Sequence, residues 1–194
     1  MSERSIRTAH ASEAERCFAV LTLAFADDPA ARWAWPDPHQ YVEAFPRFAR
    51  AFGGGAVEAG TAHYVDGFRG AALWLPPGTS PDEASLVRVV EDTVAGALQD
   101  ALFSLFDQME AYHPHTPHWH LPLLGVDPVS QGRGYGSALL RHVLEGCDRQ
   151  QVFAYLEATS PRNVALYARH GFEVLGTIQV GTSPPISPMV RTPR

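Results

Sequence analysis

Between residues 123 and 140 the chain reads L-L-G-V-D-P-V-S-Q-G-R-G-Y-G-S-A-L-L. An apolar run ends at Val126, and a turn follows with Gly132, Gly134 and Gly136 at alternate positions. A helical pattern begins directly behind the turn. Glycine lets the backbone approach a bulky anion, because no Cβ stands between them. A helix N-terminus adds N–H groups without intrahelical partners and about half a positive charge. Strand, turn and helix together form a phosphate cradle that needs no cationic side chain. Any fold for this chain must hold a β-α-β unit around it.

Phosphate cradles come in several kinds. A P-loop ends in a lysine, but all fifteen basic residues here are arginine. The same bias removes any Schiff-base lysine. A dinucleotide fingerprint, G-x-G-x-x-G with an acid about 20 residues on, fits Gly132 and Gly134 and finds Glu157 in place. However, Ser137 stands where the third glycine belongs, and too little chain follows for a doubly wound sheet. The third pattern, Q-x-x-G-x-G, falls on Gln131, Gly134 and Gly136. A glycine-rich turn with no ligand also remains open at this point.

The rest of the chain reads as mixed α/β. Helical spacing covers Cys17, Phe18, Leu21 and Phe25, with Ser12 as the expected N-cap. A loop rich in Trp and Pro follows over residues 33–38. A second amphipathic stretch runs through Tyr41, Phe45, Phe48 and Phe52, with a kink expected at Pro46. Strands are expected at 5–8, 62–66, 70–75, 119–126, 152–157, 172–180 and 186–191. Further helices are expected at 81–98, 100–112, 134–149 and 163–170. With 194 residues, one domain is expected over 1–194, with a helical insertion at about 81–118. A net charge of −6 lacks the basic face that nucleic acid requires. No apolar run reaches the roughly 20 residues of a membrane helix, and residues 1–10 carry no signal-peptide pattern. Cys17 and Cys147 lie far apart and outside any metal or redox motif, which suits a reducing compartment. A cytoplasmic protein is expected, with no nucleic-acid or membrane partner.

Q-G-R-G-Y-G-S on residues 131–137 resembles the pyrophosphate motif of the GNAT superfamily of acyl-CoA-dependent N-acetyltransferases. N-V-A-L-Y-A-R-H-G-F on residues 163–172 resembles its C-terminal block, with the tyrosine one place early. The two motifs stand in the family's order with a strand between them. A-F-A-D-D-P, A-L-W-L-P and Y-L-E-A-T-S-P-R-N are similar to puromycin N-acetyltransferase-like members. The resemblance implies a GNAT fold, a central, mostly antiparallel twisted sheet flanked by helices. It implies acetyl-CoA as co-substrate, with the backbone of Gln131, Gly132, Arg133, Gly134, Tyr135, Gly136 and Ser137 on the pyrophosphate. The edge of Leu124, Gly125 and Val126 would pair with the pantetheine arm, Asn163 would contact it, and Tyr167 would lie near the thioester sulfur.

Direct transfer to a primary amine in a ternary complex needs a base, oxyanion donors and an acid. Tyr167 is the candidate acid, against the alternative of a core tyrosine. Glu157 and His120 compete as the base. Cys147, placed mid-helix, makes a poor nucleophile. His113, His115, His118 and His120 cluster in sequence, but no carboxylate or cysteine completes a ligand spacing, so no metal is expected. The acceptor, a small-molecule amine, is expected against Asp28, Trp33, Trp35 and Tyr112. Asp28 replaces an aromatic residue common in the puromycin-type relatives, so no particular amine follows. A homodimer, a non-catalytic acyl-CoA-binding module and a dinucleotide oxidoreductase remain alternatives.

Overall fold

The computed structural model describes residues 5–194, so residues 1–4 of the expected single domain lie outside it. Seven strands form one open sheet: β1 (Ile6–Thr8), β2 (Ala62–Val65), β3 (Gly70–Leu75), β4 (His118–Val126), β5 (Phe153–Ala158), β6 (Glu173–Val174) and β7 (Ser187–Arg191). Their order is β1-β2-β3-β4-β5-β7-β6. Every pairing is antiparallel except β4 with β5. That parallel pair is joined through α7 (Tyr135–Gln150), the β-α-β unit the glycine turn required. The other helices are α1 (Ala14–Ala24), α2 (Pro29–Ala34), α3 (Pro38–Gly53), α4 (Gly55–Glu58), α5 (Glu83–Thr93), α6 (Gly96–Ala111) and α8 (Pro161–Arg169).

Strand periodicity divides the interior into two cores. In β3, Ala71, Leu73 and Leu75 face α1, α3, α5 and α6, whereas Ala72 and Trp74 face α7. Alternation of this kind is what a sheet buried on both sides requires. Cys17 belongs to the first core and Cys147 to the second, so the sheet separates them and both are free thiols.

A bulge in β4 breaks the alternation. Leu123 lies opposite Leu73, but His120 lies opposite Leu75, so three steps on β4 match two on β3. Pro122, which has no N–H for a ladder, sits in the extra step, where prolines are tolerated. Leu121 and Leu123 consequently fall in opposite cores. The shift keeps His120 on the α3 side with Leu123, edge-on to Phe52 at 5.9 Å.

Several sequence expectations are corrected. Ser12 is not an N-cap: it lies inside a short 3-10 turn, and Glu13 reaches back to the His10 N–H at 3.1 Å. The expected 33–38 loop begins within α2, which is capped by Asp28 with Pro29 in its first turn. Helix α3 continues through Pro46. The break between α5 and α6 falls at Val94–Ala95 rather than near residue 99. The strand expected over 172–180 shrinks to β6 and a single bridge from Ile178 to Ile186. Among the described residues, no helix is long and apolar enough to cross a membrane.

Candidate active site

The β4–β5 ladder pairs only His118–His120 with Phe153–Tyr155. Beyond that point β4 runs on to Val126 and β5 to Ala158 with no ladder between them. Strand residues turn their main-chain groups alternately to the two sides. On the side away from β3, residues 121–126 therefore present main-chain donors and acceptors without a partner strand, apart from Val126 O, which Gln131 Nε2 meets. An extended segment can add to such an edge as a strand would.

The glycine turn closes one end of this opening. Gly132 has φ +75° and Gly134 φ +79°, and Gly134 is the N-cap of α7. A side chain is strained in that region, which accounts for glycine at both positions. The first helix N–H with a helical acceptor is that of Ala138, which donates to Gly134 O at 3.1 Å. The N–H groups of Tyr135, Gly136 and Ser137 precede it and have no acceptor in the helix. Gln131 Nε2 donates to Val126 O at 3.2 Å and ties the turn to the end of β4. Ser137 Oγ lies 3.0 Å from His170 Nε2, which joins α7 to the end of α8. Arg69, from the β2–β3 turn, donates to Tyr135 Oη at 2.9 Å. It adds a cation beside the turn from 66 residues away, where no sequence motif could announce it. Exposed donors next to two arginines, Arg69 and Arg133, suit a diphosphate.

Alongside the open edge lies an apolar-lined cavity. Phe25, Trp35, Phe45, Phe48 and Phe52 wall it from α1 to α3, and Leu102, Leu105, Phe106 and Met109 wall it from α6. Residues 121–124 form the β4 side, and Glu157, Thr159, Asn163 and Tyr167 the far side. Among the described residues, Asp28 and Glu157 are the charged residues that line it.

The expected acceptor residues divide accordingly. Trp35 lines the cavity, with its Nε1 donating to Thr93 Oγ1 at 2.9 Å. Asp28 also lines it, but its carboxylate caps α2 through the N–H groups of Ala30 and Ala31 and accepts from Thr159 Oγ1. Burial nevertheless raises its pKa against those hydrogen bonds. Trp33 and Tyr112 are not brought to the cavity: Trp33 Nε1 binds Thr182 Oγ1 at 3.1 Å, and the Tyr112 ring packs against Gly176.

Alternation along β5 puts Ala154, Leu156 and Ala158 in the α7 core, which directs Tyr155 and Glu157 to the other face. There Glu157 Oε2 lies 3.0 Å from His120 Nε2. His113, from the turn after α6, places Nε2 3.3 Å from Glu157 Oε1. That contact misses hydrogen-bond geometry, and among the described residues Oε1 has no hydrogen-bond donor. Burial alone would raise the Glu157 pKa, but the charge of His120 and the hydrogen-bonding reach of both imidazoles hold it low. No carboxylate completes a ligand spacing with these histidines along the sequence. Strand β5 supplies one, Glu157, from 37 residues beyond His120.

Tyr167 is 6% exposed, lines the cavity and packs edge-on against Phe172 at 5.9 Å. Burial, followed by the charges of Asp28 and Glu157, pushes its phenol well above the usual range, so it keeps its proton. Burial likewise raises the Cys147 thiol to about 11, which suits a packed side chain rather than a nucleophile.

A family model described as the acetyltransferase (GNAT) family matches residues 23–172. The chain belongs to the GNAT acetyltransferase family. It is 24% identical, over 94% of its length and 81% of the relative's, to an uncharacterized N-acetyltransferase of Schizosaccharomyces pombe. Among solved structures, it superimposes with a TM-score of 0.70 and 26% identity on a protein described as histone acetyltransferase HPA2 and related acetyltransferase from Corynebacterium glutamicum, covering 98% of this chain and 96% of that one. An arylalkylamine N-acetyltransferase of Aedes aegypti gives 0.66 at 13% identity, covering 98% and 99%. A polyamine N-acetyltransferase of Drosophila melanogaster gives 0.63 at 16%, covering 97% and 99%. The last two identities show the shared fold alone. The chain is thus a GNAT N-acetyltransferase with a mixed α/β, mostly antiparallel sheet.

Proposed function

We propose that this acetyltransferase moves an acetyl group from acetyl-CoA directly to a primary amine carried on an apolar, ring-sized body. The observation that carries the reading is one juxtaposition. An aromatic-walled cavity whose only charges are carboxylates opens onto the unpaired β4 edge, beside a turn rich in main-chain donors. Apolar, aromatic-lined clefts with a few placed polar groups are where small molecules bind. Asp28 and Glu157 favour a cationic amine, and the phenylalanines favour an apolar remainder. A polycation would leave charges unpaired against that wall.

In this reading Gln131 to Ser137 hold the pyrophosphate of acetyl-CoA, and Leu124 to Val126 pair with its pantetheine arm. Asn163, on the cavity wall, contacts the same arm. The amine nitrogen forms its bond to the thioester carbonyl carbon while main-chain N–H groups of β4 face the developing oxyanion. The ammonium first releases one proton to solvent, and Glu157, with His120 beside it, takes the second from the nitrogen after it attacks. Tyr167 gives its proton to the departing sulfur as the carbon–sulfur bond breaks, and proton exchange through solvent restores both groups.

The test is a panel of amines with acetyl-CoA, read by free thiol release and by mass spectrometry of the product. Phenylalkyl and long alkyl amines should exceed polyamines and agmatine in kcat/KM by at least about tenfold, the discrimination an apolar pocket gives. Preference for the polyamines would overturn the acceptor assignment. Coenzyme binding without transfer to any amine would instead indicate a non-catalytic module. Glu157→Gln should lower kcat by about 10²-fold or more, and His120→Asn by less if Glu157 is the group that meets the amine.

A further inference from the structure

His113, His120 and Glu157, of which Glu157 lines the cavity, bring their ligand-capable atoms all within 4.8 Å of one another. Their side chains are 17%, 6% and 4% exposed. The hydrogen-bond pattern shows what this cluster lacks. His118 Nδ1 lies 2.9 Å from Thr116 O, which only accepts, so His118 carries its hydrogen there. In the neutral ring its Nε2 is then bare and accepts from His113 Nδ1 at 3.1 Å. With one hydrogen on its ring, His113 turns a bare Nε2 to Glu157 Oε1, which has no hydrogen-bond donor among the described residues; with two, its imidazolium faces the carboxylate. In either form the nitrogen and oxygen, 3.3 Å apart, call for a positive centre between them, a proton or a metal ion.

We propose that His113 Nε2, His120 Nε2 and the Glu157 carboxylate form a Zn²⁺ site. Zinc holds nitrogen and carboxylate oxygen at about 2.0–2.2 Å, which in a tetrahedron separates neighbouring donors by about 3.3 Å. The two histidine–carboxylate separations, 3.3 Å to Oε1 and 3.0 Å to Oε2, lie near that edge, each on its own oxygen of the carboxylate. The edge between the histidines closes by a shift of His113, which sits in a turn and is the most exposed of the three. His118 orients His113 through Nδ1, the usual support for a ligating imidazole. Glu157 lines the cavity, so the fourth position opens towards it, the pattern of an exchangeable rather than a closed structural site. Two imidazoles favour zinc over magnesium or calcium, which take oxygen ligands. Bound zinc occupies the lone pairs assigned above to the amine's proton. If that assignment holds, zinc switches transfer off and a chelator restores it.

The experiment titrates tag-free, chelator-stripped protein with zinc chloride by calorimetry and records the visible spectrum with Co²⁺. One zinc per chain and tetrahedral cobalt bands are expected, with no response to magnesium. His113→Ala should weaken binding at least tenfold or so, and His118→Ala, which removes only the orienting partner, by about 10–100-fold. His115→Ala, at an exposed histidine outside the cluster, should bind as the wild type does. Should His113→Ala fail to fold, His118→Ala carries the comparison. Absence of stoichiometric zinc, or equal binding by wild type and the folded cluster variants, overturns the site. Zinc binding with undiminished turnover leaves the site standing and removes Glu157 as the proton acceptor.

Discussion

Tyr167→Phe separates chemistry from packing more cleanly than any other single change. The ring packs on Phe172 at 5.9 Å and is 6% exposed, and phenylalanine preserves that packing. Among the described residues the hydroxyl has no protein partner, so the variant loses no internal hydrogen bond. Removing an unpaired hydroxyl should change unfolding stability by no more than about 1 kcal/mol. At this chain length that shifts Tm by only about 2–4 °C. Loss of a proton donor to the departing sulfur should lower kcat by about 10²–10⁴-fold, or roughly 3–5 kcal/mol of barrier. Thiol release at saturating acetyl-CoA and amine measures kcat, while thermal melting and a coenzyme A titration show that fold and binding persist. A folded variant with kcat within about twofold of wild type would refute the acid. A fall in kcat matched by a collapse in Tm would make Tyr167 a packing residue.

Two further outcomes concern stability. His63 is 8% exposed, and burial, followed by the charge of His142, lowers its pKa to about 4. Above the unfolded value of about 6.5 neither state binds the proton and its full stabilising contribution is present. Between about 6.5 and about 4 only the unfolded chain binds it, so stability should fall by up to about 3 kcal/mol and then level off. Urea unfolding across that window should show the slope, and His63→Gln should remove it; an unchanged slope in the variant contradicts the assignment. Arg191 is 4% exposed, with both nitrogens of its fork on Asp148 at 2.7 and 2.8 Å and Nε on His170 O at 2.9 Å. Because Asp148 is partly exposed, Arg191→Ala should cost about 2–3 kcal/mol in denaturant unfolding, below the full penalty of breaking a buried pair. A loss under about 0.5 kcal/mol would show the fork to be ornamental to the β7–α7 junction.

The turn at residues 131–137 was legible because its determinants are local: glycines at two positive-φ positions, and a helix directly behind them. Strand β3 and helix α7 were legible through apolar periodicity. Helix α2 was missed, although Asp28-Pro29 is a cap-and-first-turn signal, and Ser160-Pro161 repeats it at α8. The bulge at Pro122 has no periodic signature, yet it decides which face His120 takes. Glu157 and His120 could be nominated from their strands, but the histidine pairing needed sheet register, and His113 needed the position of α6. Residue type alone points to Trp33 and Tyr112 and carries no information about direction; Trp33 Nε1 meets Thr182 Oγ1, and the Tyr112 ring lies over Gly176.

The central claim is that main-chain donors at the N-terminus of α7 grip a diphosphate without lysine. Calorimetric titration with coenzyme A and with phosphopantetheine, which lacks the diphosphate and nucleotide, tests it most directly when done on wild type and on Gly134→Ala. Charge-assisted hydrogen bonds contribute about 1.5–3 kcal/mol each. Coenzyme A should therefore bind the wild type at least about 100-fold more tightly than phosphopantetheine, and Gly134→Ala, strained at φ +79°, should lose most of that margin. Equal affinities for the two ligands, or a margin untouched by the substitution, would contradict the claim.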